Sequence, residues 1–273
     1  MVIAAHELDG AEDSRAVQLS LDSSAARRPG QPALDAVTFD FWNTLLWEEP
    51  GSLRQKRLEV WIDSLEEIGA RVDRGRLERA HDAAHERYVE SWAAGRQFRV
   101  ADAVEYILDH LDGELDATTA PLLTEGFSDA GRKAAIHPSD GVHECLTALT
   151  DAGVRLGIVC DIGLTPSAVV CELLERHDLR RFFCHMSFSD EVGHYKPARE
   201  IFEHALTGLG ATSPECAAHV GDRRRTDVGG AISMGMIAVR YNGTYEDEIR
   251  TPEADIIVSA LIELPAQLGV ATT

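Results

Sequence analysis

The chain has 273 residues, of which 44% are hydrophobic and 6% aromatic, and 26 Lys and Arg stand against 46 Asp and Glu for a formal charge of −20. That length is enough for one large domain, or one with a sizeable insertion, on a core that needs no disulfide or metal staple. A surface so acidic repels phosphate backbones and anionic lipid, which argues against nucleic-acid and membrane-surface roles.

Residues 1–34 are acidic, rich in Ser and Ala and broken by Pro29 and Pro32, so a loose arm without a basic-then-apolar targeting pattern is expected there. The first strand is expected at Ala36 to Phe41, a β-branched and aromatic run with Asp40 near its end. From Ser52 to Ala135 the character changes. Leu53, Leu58, Trp61, Ile62, Leu65 and Ile68 recur at helical spacing, and further helices are expected around Arg76 to Ala94, Ala101 to Leu111 and Leu122 to Ala130.

Strands and helices then alternate, with strands expected at Val154 to Cys160, Phe183 to Phe188, Ala217 to Val220, Met236 to Val239 and Asp255 to Val258. Helices expected near Gly141 to Thr150, Ser167 to Glu175, Ala198 to Leu209 and Val228 to Met234 complete parallel β-α-β units. The architecture implied is a doubly wound α/β core over residues 35–50 and 137–273, with a helical cap over 51–136. No apolar run approaches the ~20 residues of a membrane span. Cys145, Cys160, Cys171, Cys184 and Cys216 are scattered without short paired spacings, which fits a reducing cytoplasm better than a disulfide framework or a zinc cluster.

In such a sheet, ligands sit beyond the carboxyl ends of the strands. The first strand delivers Asp40 and runs into Asn43 and Thr44. The second ends at Cys160 and Asp161, and the loop Gly193 to Pro197 carries Lys196. The fourth ends at Gly221 and Asp222, with Asp227 five residues later. Carboxylates from three strand ends beside one lysine describe a site for a divalent cation and an oxyanion.

Four segments in order carry a family likeness: VTFDFWNTLL at Val37 to Leu46, LGIVCDIGLTP at Leu156 to Pro166, SDEVGHYKPAREIF at Ser189 to Phe202 and HVGDRRRTDVGGAISMGM at His219 to Met236. With them the chain resembles the haloacid dehalogenase superfamily of aspartate-nucleophile hydrolases, from about Ala36 to Leu268. The resemblance implies Asp40 as the nucleophile that forms an aspartyl-phosphate. It implies Mg²⁺ held by Asp40, Asp222 and the main-chain carbonyl of Trp42, with Asp227 in support. Lys196 would keep Asp40 ionised, while Thr44 and the backbone N–H groups around Asn43 would contact phosphoryl oxygens. The partner implied is a small phosphorylated molecule.

Two positions depart from the family pattern. Trp42 stands where phosphatases of this family usually carry a second aspartate, and an indole cannot act as a proton donor to the leaving group. Cys160 replaces the usual Ser or Thr, so the hydrogen bond to the transferring group weakens. Asp161 follows where Asn is common, and a raised pKa there would let it replace the missing acid. These departures leave room for a dehalogenase or phosphonatase, or for a catalytically weak descendant that binds a ligand. A phosphonatase needs a cap lysine for a Schiff base, and only Lys56 and Lys133 are available. Elsewhere, His81 and His85 are expected on a solvated helix face. Arg223, Arg224 and Arg225 read as solvated charge, and Trp61 and Trp92 as packing within the cap.

Overall fold

The computed structural model describes residues 33–270, so the arm expected at 1–34 lies outside the described residues except for Ala33 and Leu34. The chain begins with β1 (Ala36–Phe39) and β2 (Leu46–Glu48), followed by four helices: α1 (Ser52–Glu67), α2 (Arg74–Ala93), α3 (Val100–His110) and α4 (Ala120–Lys133). It returns through β3 (Ile136–Pro138), α5 (Val142–Asp151), β4 (Arg155–Cys160), α6 (Ser167–Arg176) and β5 (Phe183–Phe188). The remaining elements are α7 (Ser189–Val192), α8 (Arg199–Leu209), β6 (Ala217–Gly221), α9 (Gly229–Met234), β7 (Ile237–Tyr241), β8 (Ile256–Val258) and α10 (Leu264–Gln267).

Six strands form one parallel sheet in the order β5-β4-β1-β6-β7-β8. Its strands are apolar on both faces, as helices on both sides require. Leu156, Ile158 and Cys160 of β4 pack with Val37 and Phe39 of β1 under α5 and α6. The alternate residues Ala36 and Val159 pack under Ile201 and Phe202 of α8 and Ala231 of α9. This is the doubly wound α/β core. Because β1 pairs with both β4 and β6, the switch in strand order falls beside it, and the crevice there opens directly after Phe39.

The helical block has a core of its own around Leu58, Trp61, Leu77, Ile107, Leu123 and Phe127. The Trp61 indole N–H donates to the Leu123 carbonyl at 2.9 Å and joins α1 to α4. Sequence periodicity gives no sign of β2 and β3. They pair antiparallel at the two ends of the block, Leu46 opposite Pro138 and Glu48 opposite Ile136. At three residues each they are too short to show an alternation, and their hydrogen bonds join residues about ninety positions apart in sequence.

Candidate active site

Asp40 is the first residue past β1, and its N–H donates to the Val220 carbonyl at 2.8 Å, so the β1–β6 ladder fixes its position. The chain then folds tightly back: the Phe41 carbonyl accepts from the N–H groups of Leu45 and Leu46 at 3.0 and 3.1 Å. Asn43 takes the left-handed conformation the turn needs, at φ 59°, which Asn tolerates better than most residues. Trp42 and Asn43 thereby face a cavity of about 300 Å³ between the sheet and the helical block, while Asp40, Asp222 and Lys196 form its floor.

Lys196 Nζ lies 2.5 Å from Asp40 Oδ1 and 2.6 Å from Asp227 Oδ1, with both carboxylates buried. Asp227 is held further by the Arg223 backbone N–H at 3.0 Å and by His219 Nε2 at 3.1 Å. Gly221 is what lets Asp227 fold back to this position, since a Cβ there would sit 2.3 Å from Asp227 Cγ. Burial favours neutral His219, so Nε2–H donates to Asp227 and Nδ1 accepts from Thr38 Oγ1 at 2.8 Å. His219 thus serves the site from inside β6. Its only signal in the sequence is a polar residue in an otherwise apolar strand.

The electrostatics follow from burial. Desolvation lifts Asp40 to about 7 against the pull of Lys196, and Asp227 adds to the rise. Burial alone would also raise Asp227, but the Lys196 ammonium and the His219 N–H outweigh it and hold that carboxyl below the usual range. Asp222 is pushed well up, first by burial and then by Asp40 and Asp227. Burial opposes the charge on Lys196, yet Asp227, Asp40 and Asp161 keep it firmly protonated. Carboxylate oxygens of Asp40, Asp222 and Asp227 lie within 4.8 Å of one another. Asp222 Oδ2 is buried without a hydrogen-bond partner, a costly state for a carboxylate that a cation would relieve.

The other residues expected at the site fall differently. Thr44 is fully buried with its Oγ1 unpartnered. Cys160 is also fully buried, and its thiol donates to the Asp161 carbonyl at 3.6 Å. Neither side chain is among those that line the cavity. Asp161 does line it, and burial raises its pKa. Both its oxygens are engaged, Oδ1 by the Lys196 backbone N–H at 2.8 Å and Oδ2 by the Trp92 indole at 2.7 Å. That geometry suits a positioning role better than a proton relay.

The wall contributed by α2 corrects three further readings. His81 is buried, not solvated, with its Nδ1 3.0 Å from Asp82. His85, Tyr88 and Trp92 line the cavity, so Trp92 is not part of the packing inside the helical block. The approach is close because Gly163 has no side chain; a Cβ there would meet Tyr88 at 2.6 Å. The three arginines are not solvated charge either. Arg224 is buried and paired with Glu246 and Glu253 at 3.3 and 3.1 Å, while Arg223 and Arg225 lie over the Trp92 ring at 5.4 and 4.4 Å. The turn Arg224–Val228 that precedes the helix expected near Val228 to Met234 is π-helical.

A family model for haloacid dehalogenase-like hydrolases matches residues 34–235. The chain is 33% identical over 132 residues to a glyceraldehyde 3-phosphate phosphatase of Methanocaldococcus jannaschii, covering 48% of this chain and 56% of the relative. It is 28% identical over 207 residues to a probable phosphoglycolate phosphatase of Pseudomonas putida, covering 73% and 79% respectively. The matched region spans about half the length of the glyceraldehyde 3-phosphate phosphatases. Among solved structures, the HAD phosphatase of Thermococcus onnurineus aligns with a TM-score of 0.60 and 26% identity, over 88% of this chain and all of that one.

Proposed function

The chain belongs to the haloacid dehalogenase-like hydrolase family, and from that premise we propose that it is an Mg²⁺-dependent phosphatase of a small phosphorylated metabolite. The observation that carries this reading is the buried triad of Asp40, Asp222 and Asp227, two of which, Asp40 and Asp227, hold the Lys196 ammonium. The donor set is all oxygen and includes the unpartnered Asp222 Oδ2, which suits a hard cation. Asp40, Asp222 and the Trp42 carbonyl would hold Mg²⁺, with Asp227 supporting Lys196. A bound Mg²⁺ supplies positive charge against the phosphoryl oxygens.

Lys196 favours the ionised form of Asp40, whose free oxygen attacks phosphorus in line. The P–O bond to the alcohol breaks, and its electron pair leaves on the alcohol oxygen, which takes a proton from water. A second water then cleaves the aspartyl-phosphate, releasing inorganic phosphate and restoring Asp40. Trp42 contributes no proton to the leaving group, so turnover is slow for poor leaving groups. Residues 51–136 act as the cap that encloses the substrate, and among the described residues 35–50 and 137–270 form the core. The five free cysteines support a cytoplasmic setting. The phosphonatase alternative lacks its lysine: Lys56 pairs with Glu59 at 2.7 Å and Lys133 with Asp129 at 3.9 Å, both on partly exposed surface.

The test is a screen of sugar, nucleotide and small-acid phosphates with and without Mg²⁺. Metal-dependent phosphate release that disappears in Asp40→Asn, with a phosphate-sized mass increase trapped on Asp40 of the wild type, supports the reading. A fully active Asp40→Asn variant defeats it.

A further inference from the structure

Two cations reach the cavity, and among the described residues only Lys196 is in direct ion pairs. Lys196 is taken up by Asp40 and Asp227. Arg223 lines the same cavity, yet its guanidinium makes no ion pair and no side-chain hydrogen bond among the described residues. It is held instead by two rings, with its central carbon 5.4 Å from the Trp92 centroid and 5.0 Å from that of Tyr245. Trp92 is itself pinned by Asp161 and carries the Arg225 guanidinium at 4.4 Å, whose Nη2 is buried without a partner. The next residue behaves differently. Arg224 turns away, and its guanidinium donates to the Glu246 and Glu253 carboxylates and to the Asp247 main-chain carbonyl, in a protein whose charge of −20 makes carboxylates abundant.

An arginine stacked on rings keeps its planar fork fixed and its N–H groups free at the edge, ready for bidentate contact with a carboxylate or phosphate. The stacking also speaks against a nucleobase on this wall, because both guanidinium groups already lie over the Trp92 ring. A cavity of about 300 Å³ lies at the small end of ligand pockets, which suits a short substrate that touches both the floor and Arg223. We propose that Arg223, held by Trp92 and Tyr245, is a specificity residue that receives a second anionic group of the substrate. The preferred substrates are therefore short phosphate esters that also carry a carboxylate or a second phosphate. This inference rests on the phosphatase reading of the floor of the cavity.

Binding of non-hydrolysable phosphonates tests it without requiring turnover. Ethylphosphonate, phosphonoacetate and ethane-1,2-bisphosphonate are titrated calorimetrically into the full chain with Mg²⁺ present, alongside p-nitrophenyl phosphate hydrolysis. At least one of the doubly functional ligands should bind about thirtyfold tighter than ethylphosphonate, the scale of a charge-assisted hydrogen-bond pair. Which of the two is preferred separates carboxylate from second phosphate. Arg223→Gln should reduce that preference to under about threefold, and Arg223→Lys, with charge but no fork, should fall between. Tyr245→Leu, which removes one supporting ring, should weaken the preference severalfold even if Arg223→Gln folds poorly. A flat ranking in the wild type, or a preference that survives Arg223→Gln, overturns the subsite. A flat ranking with active hydrolysis defeats the subsite alone, whereas the expected ranking with no hydrolysis defeats the phosphatase reading alone.

Discussion

The indole of Trp92 and the carboxylate of Asp161 are hydrogen-bonded at 2.7 Å across the cavity, and the same carboxylate accepts the Lys196 backbone N–H at 2.8 Å. A residue of the helical block is thereby joined to the loop that presents the lysine beside Asp40. Tyr195 reinforces the junction, its hydroxyl lying 3.3 Å from both the N–H and the carbonyl of Phe98.

Trp92→Phe keeps most of the ring and removes the donor. A hydrogen bond to a buried charged group contributes about 1.5–3 kcal/mol, so melting should occur several degrees lower. If the bond also holds the two walls together, KM should rise more than kcat falls. Calorimetry and steady-state kinetics on the pair of proteins decide it; an unchanged melting temperature and KM would mean the bond contributes nothing.

Lys196→Met leaves Asp40 and Asp227 facing each other in a buried site without their cation. Turnover should drop at least about a thousandfold, since positioned charge contributes heavily to the rate of such reactions. Stability should also change its pH dependence. Carboxylates whose folded pKa is raised bind protons better when folded, so acidification favours the folded state. In chelator, the variant should therefore melt higher at pH 5 than at pH 8, and the reverse order would contradict the assignment of Lys196 as counter-charge.

His81 provides a second pH signature, remote from the floor of the cavity. Burial, opposed by the Asp82 hydrogen bond and assisted by Arg57, lowers its pKa from 6.5 to about 4. The folded state resists protonation, so this contribution is complete above about pH 6.5 and is lost progressively down to pH 4, a loss on the order of 3 kcal/mol. Denaturant unfolding across that window should show the slope in the wild type and little of it in His81→Leu. His81 Nε2 already lacks a partner, so the substitution should cost little at pH 7.

On the proposed function, Trp42 should make the rate sensitive to the leaving group. Without an acid to protonate the departing oxygen, p-nitrophenyl phosphate should turn over far faster than an alkyl phosphate of similar affinity. Trp42→Asp should raise the alkyl ester rate by about 10- to 1000-fold while changing the nitrophenyl rate much less. Equal effects on both esters would show that proton transfer is not what Trp42 lacks.

What could be read from the chain is what sits at strand ends. Asp40, Asp161 and Asp222 each follow an apolar run that can only be a buried strand, and parallel strands bring their carboxyl ends together whatever the intervening sequence. Lys196 is legible for the same reason, from its fixed place in a short loop before α8. The α2 wall is not legible, because Trp92, Asp161, Arg223 and Tyr245 meet only through packing between segments far apart in sequence. A tryptophan on an amphipathic helix has the same spacing whether it packs inward or against another layer. The fate of the three arginines depended on partners distant in sequence, Glu246 and Glu253 for Arg224 and Trp92 for Arg223 and Arg225, which leave no local compositional trace.

The β2–β3 ladder has a consequence for how this protein could acquire new chemistry. Leu46 and Pro138 are direct partners, as are Glu48 and Ile136, so the insertion departs and returns at neighbouring points in space, about 5 Å apart as in any antiparallel pair. A foreign helical unit whose own ends lie that close could be spliced between Glu48 and Ile136 with no change of register in the six-stranded sheet. The ladder is in effect a fixed port for the insertion, and recombination at these two positions would exchange the helical block while leaving Asp40, Lys196 and Asp222 untouched.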